Sequence, residues 1–134
     1  MELKVVLLSG WRQVQNAGPI TYMRGSSSAA LQFSFAQYKP GRLANVNGDM
    51  LIGTCERLTA KVKGRKETSR QTGICPFGMY GTLVVKGAYP RHFQAWVLSN
   101  HREFILITHI DEQREPDDAE IVEANDIALK TMVG

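Results

Sequence analysis

Residues 92–110, HFQAWVLSNHREFILITHI, are two runs of β-branched and aromatic residues separated by Asn100-His101. Such runs around a short polar break predict a β-hairpin. Side chains alternate between the two faces of a strand. A turn centred on Asn100-His101 pairs Ser99 with Arg102, Trp96 with Ile105, Phe93 with Thr108 and His92 with His109. One face then carries Trp96, Leu98, Ile105 and Ile107 between the two histidines, and the other carries Phe93, Val97, Phe104 and Leu106. Both faces are apolar at their middle. That predicts a central strand pair covered on both sides rather than a sheet with one wet face.

The rest of the chain supplies what covers it. Leu51, Cys55, Leu58 and Val62 fall at spacings of four, three and four, which predicts a helix over 49–63. Asn47 or Asp49 is its N-cap and Gly64 its stop. Pro116 with Asp117, Asp118 and Glu120 predicts the first turn of a second helix over 117–132. Its apolar side is Ile121, Ala124, Ile127, Ala128 and Met132, and its polar side Glu123, Asp126 and Lys130. Leu3–Leu8, Ile20–Arg24, Ala30–Tyr38 and Tyr80–Lys86 read as strands, Lys39-Pro40-Gly41 as a turn and residues 13–19 as loop. The first half of 65–79 extends into a strand and the second half is loop. Strands, helix, strands and helix in that order predict an α+β fold: an antiparallel sheet with a central hairpin, packed by two helices.

At 134 residues the chain suits a single α+β domain over 1–134 with one core. A hydrophobic content of 43% with 22% charged residues is that of an ordinary globular protein and excludes a disordered or fibrous class. Two cysteines are too few for a disulfide framework, so reduced thiols are expected. The run VVLL after Lys4 is shorter than a signal-peptide core, and no stretch approaches a membrane span. Together these predict a cytoplasmic protein.

A short strand running into Gly10-Trp11, an extended strand ending at Pro40-Gly41, a helix, a meander, and a closing helix after FILITHI resemble the PsbP-like superfamily. That group includes an extrinsic subunit of photosystem II and a Ran-binding release factor. The resemblance spans nearly the whole chain and implies a non-enzymatic domain that binds other proteins. It carries no catalytic motif over to this sequence.

Four features have chemistry to offer. His92 and His109, if opposite each other, bring two imidazoles together as weak metal candidates, though no further ligand has diagnostic spacing to them. Cys75, in Gly73-Ile74-Cys75-Pro76-Phe77-Gly78, has a loop-like setting in which a thiol is exposed; a nucleophile there needs a base and a lowered thiol pKa. Cys55 belongs to the apolar stripe of the first helix and to the core. Arg57, Lys61, Lys63, Arg65, Lys66 and Arg70 lie within 14 residues. Phosphates suit such a run, but no aromatic residue is interleaved for base stacking. Trp11 is a core anchor, or an exposed contact of the kind tryptophan makes at binding hot spots. No lysine followed by Ser or Thr closes a glycine-rich turn, so there is no phosphate loop.

The charge is uneven. Residues 1–110 carry 14 Lys and Arg against 5 Asp and Glu, whereas residues 111–134 carry 2 against 8. These readings converge on a small non-enzymatic protein-binding domain, a regulator or an immunity-type inhibitor, with no cofactor and no membrane attachment. Its binding candidates are Trp11 and the six cations of 57–70, the latter as a rim contact for an acidic protein surface. The alternatives are nucleic-acid binding through 57–70 and a cysteine-dependent enzyme using Cys75.

Overall fold

The computed structural model describes residues 2–16, 18–39 and 45–134. Most of the turn expected at Lys39-Pro40-Gly41 lies outside them. The strands are β1 (Leu3–Lys4), β2 (Trp11–Val14), β3 (Ile20–Arg24), β4 (Ala30–Gln37), β5 (Lys66–Cys75), β6 (Gly78–Lys86), β7 (His92–Ser99), β8 (Glu103–Asp111) and β9 (Met132–Val133). The helices are α1 (Gly48–Thr59), between β4 and β5, and α2 (Asp118–Lys130), between β8 and β9. β2 to β8 form one antiparallel sheet in the order β2-β3-β4-β8-β7-β6-β5. β1 pairs with β9 separately, tying the two ends of the described chain together. The fold is α+β, as the sequence predicts, and the β7–β8 hairpin is inside the sheet.

The hairpin's register differs from the expected one by two residues. Ser99 pairs with Phe104, Trp96 with Ile107, Gln94 with His109 and His92 with Asp111. The turn is longer because Asn100 caps it: its Oδ1 accepts from the backbone N–H groups of Arg102 and Glu103, and its own N–H donates to the Glu103 carbonyl. A shift of two leaves every side chain on the face the sequence assigns to it. Trp96, Leu98, Ile105 and Ile107 are fully buried against Ala124, Ile127 and Ala128 of α2, with Leu31 and Phe33 of β4. On the opposite face Ala95 and Val97, with Leu83 and Val85 of β6, pack on Leu51 and Cys55 of α1. The central pair is covered on both sides, one helix to each.

The helix ends are legible in their caps. The Asn47 side chain accepts from Met50 N–H and the Asp117 side chain from Glu120 N–H. α1 stops at Thr59, four residues short of the expected end. Val62 stays in the same apolar cluster from outside the helix, and Gly64, at φ 67°, serves the turn into β5 rather than the helix terminus. Met132, expected on α2's apolar side, belongs to β9 and is exposed. Trp11–Val14, expected to close a strand and open a loop, is itself a strand paired with Thr21–Arg24. The whole of 66–75 is strand, not only its first half.

One close approach seats α1. A Cβ at Gly81 would lie 3.0 Å from the Leu51 Cβ and 3.1 Å from the Ile52 nitrogen, so the helix backbone rests directly on β6. Gly53, inside α1, faces nothing nearer than 3.8 Å. The two alanine substitutions therefore act in opposite directions in urea unfolding. Gly81→Ala destabilises by about 1–3 kcal/mol through overpacking. Gly53→Ala stabilises by about 0.5–1 kcal/mol through helix propensity.

Candidate functional site

Beneath α2 the sheet holds a polar seam. Three ring N–H donors from separate strands meet acceptors on successive parts of the helix. His109 Nε2 donates to Glu120 Oε2 at 2.7 Å, Trp11 Nε1 to Glu123 Oε1 at 2.9 Å and Trp96 Nε1 to Asn125 Oδ1 at 3.0 Å. Arg24 adds its guanidinium to Glu123 at 3.2 Å. The indole N–H of Trp11 and then Arg24 hold the Glu123 carboxyl below the usual carboxylate range.

His92 and His109 sit on this face, diagonal rather than opposite. Their rings meet edge to face with centroids 5.2 Å apart. Both are fully buried, His92 as the first residue of β7. Both nitrogens of His92, Nδ1 of His109 and Oε1 of Gln94 have no hydrogen-bond partner among the described residues. Burial, then His109 and Lys86, push His92 down to about 4. No group of three or more His, Cys, Asp or Glu among the described residues is arranged to hold a metal ion.

The other expected site residues are scattered. Trp11 is buried, and its N–H is engaged by Glu123. Cys75 ends β5 rather than lying in a loop; it is buried, and burial pushes its thiol up. Cys55 is fully buried and its thiol is pushed up to about 12 by the same cause. Both thiols are free. The cations of 57–70 are exposed but do not share a face. Arg70, opposite Leu83, lies on the α1 side and is tied to Glu67 at 2.6 Å and Glu56 at 3.4 Å. Lys66, opposite Lys86, lies on the α2 side. Arg57 is on α1, and Lys61, Lys63 and Arg65 are in the connection after it.

A second feature escapes the sequence reading. α1 covers β5, β6 and β7. Beside it, over Val97, Phe104 and Leu106, a cleft of about 630 Å³ opens, walled by Tyr38, Met50 and Leu51 and bordered by Asp49 and Arg57. Met50 is 51% exposed there. The sequence does hold one signal for it: Met50 is an apolar residue off the Leu51–Cys55–Leu58 stripe, and Phe104 and Leu106 extend the apolar row of β8 past the reach of one short helix.

The fold is PsbP-like. It is similar to the solution structure of cyanobacterial PsbP (CyanoP) from Synechocystis sp. PCC 6803, with a TM-score of 0.61 over 98% of this chain and 92% of that one, at 13% sequence identity. At that identity the likeness is one of fold alone. No protein-family model matches the sequence, and no curated protein does. Among the described residues no helix is long and apolar enough to cross a membrane.

His92 makes the stability pH-dependent. An unfolded imidazole titrates near 6.5 and the folded one at about 4. Between those values the unfolded chain takes up a proton that the fold refuses, so stability falls as pH drops through this window. At pH 4.5 the loss from this one group is on the order of 2.5 kcal/mol relative to pH 7. Urea midpoints measured at both pH values should show His92→Leu losing less than the wild type by about that amount.

Proposed function

We propose that this chain is a protein-binding domain without catalysis of its own, of the regulator or immunity-inhibitor kind, and that it receives its partner in the cleft beside α1. The observation that carries the reading is the cleft itself. It presents Met50 of α1 with Phe104 and Leu106 of β8, beside a charged rim of Asp49 and Arg57. An apolar pocket with a polar rim is the arrangement in which a partner's anchor side chain contributes most binding energy. Of the expected binding residues, Arg57 alone borders it. The PsbP-like fold supports a non-enzymatic role. The chemistry of the thiols does too: a nucleophile needs a thiolate, and burial raises both cysteines away from one. Two free buried thiols suit a reducing, cytoplasmic setting.

Site-specific photo-crosslinking in the source cell tests this. A benzophenone side chain at position 50 should capture a discrete polypeptide that the same group at Val122, on the other side of the sheet, does not. Met50→Asp, an acid in the first turn that the helix tolerates, should weaken binding to the captured protein at least about tenfold, as loss of a hot-spot contact does. Capture of no polypeptide from position 50, or binding that is to nucleic acid and disappears when Lys61, Lys63 and Arg65 are neutralised, contradicts the reading.

A further inference from the structure

The opposite face of the sheet holds a second recess, independent of the cleft beside α1. It lies between α2 and the outer strands β5 and β6, with a volume of about 420 Å³, within the range of roughly 300–1,000 Å³ for small-molecule sites. Its lining carries hydroxyl and carboxamide groups on Thr68, Ser69, Gln71, Thr82 and Asn125. Val84, Ile121 and Val122 supply an apolar wall. His92 and Gln94, both more than nine-tenths buried, complete it.

Those last two side chains mark the recess as more than a surface dent. Thr82 Oγ1 donates to the Ala95 carbonyl and accepts from Gln94 Nε2 at 3.1 Å. That orients Gln94 and leaves its Oε1, like both His92 nitrogens, with no hydrogen-bond partner among the described residues. Buried polar groups are rarely left so, because each gives up its water on folding. The charge is balanced: Lys86, the one charged residue of the lining among the described residues, is paired with Glu115 at 3.1 Å. A ligand that fits must therefore be uncharged, donate to Gln94, exchange either role with His92, and set a hydrocarbon edge against Ile121 and Val122. Hydroxyl groups both donate and accept, and the C–H face of a polyol is apolar.

We propose that this recess is a binding site for a neutral polyhydroxylated ligand of monosaccharide size, anchored by Gln94 and His92. The test is a titration of isotope-labelled protein, followed by NMR, with glycerol, myo-inositol, ribose, glucose and, as a charged comparison, glucuronate, each up to about 50 mM, where a Kd on the order of 10 mM saturates. At least one neutral compound should shift the Gln94 and Asn125 side-chain amides along a saturable curve. Ser69→Trp and Val122→Trp, two surface substitutions at the mouth that leave the buried groups untouched, should each raise the Kd at least about tenfold. Three results overturn the proposal: no saturable shift with any neutral compound, saturation by glucuronate alone, or shifts that survive both tryptophan substitutions. None of these bears on capture at position 50, so the two readings fail separately.

Discussion

The rest of the structure depends on burying one hairpin from both sides. β7 and β8 carry large apolar side chains on each face, and such a pair needs two coverings. The coverings are made differently. On the α1 side contact is apolar and close: the helix backbone rests on Gly81, and the Cys55 thiol lies 3.5 Å from the Gly81 carbonyl and 3.7 Å from that of Ala95. On the α2 side the sheet presents indole and imidazole N–H groups, and a buried donor without an acceptor is costly. α2 answers with Glu120, Glu123 and Asn125, which accept from His109, Trp11 and Trp96. Because those three donors come from β8, β2 and β7, the same bonds set the helix's rotation and hold the outer β2–β3 hairpin against the centre.

This division explains where the candidate surfaces lie. α1 is 12 residues long, too short to cover a seven-stranded sheet, and its side keeps an apolar strip at Phe104 and Leu106. α2 packs over Trp96 and Ile107, leaving the β5–β6 edge of its face to polar side chains. Each of the two recesses lies between a helix and strands that the helix covers only in part. One is floored by the apolar row of β8, a central strand. The other adds the hydroxyl and carboxamide side chains of β5, an edge strand exposed along nearly its whole length, to an apolar wall.

What the sequence made legible follows the same physics. The hairpin, both helices and the α+β class are written in periodicities of 2 and 3.6, and those patterns exist wherever an element has a buried face. Lys66–Cys75 is a strand that shows no alternation, because an edge strand buries neither face well; its second half read as loop. Trp11 began a strand hidden by polar neighbours, Arg12 and Gln13, which face solvent. The hairpin register slipped because the cap formed by the Asn100 side chain lengthens the turn without altering the strand pattern. The polar seam was the least legible. Glu120 and Glu123 look like ordinary solvated acids at the start of a helix, and only the sheet's tertiary arrangement reveals that His109 and Trp11 stand opposite them. His92 and His109 are legible as a pair, but their complete burial depends on the packing of α2, which no local pattern shows.

Native-state hydrogen exchange tests the claim that this doubly covered hairpin is the stable centre. The backbone amides of Trp96, Leu98, Ile105 and Ile107 should exchange slowest, with the free energy of global unfolding, while those of β2, β3 and β5 open at lower cost. Slowest exchange in β2, β3 or β5, or opening of the β7–β8 amides well below the global unfolding free energy, would contradict it.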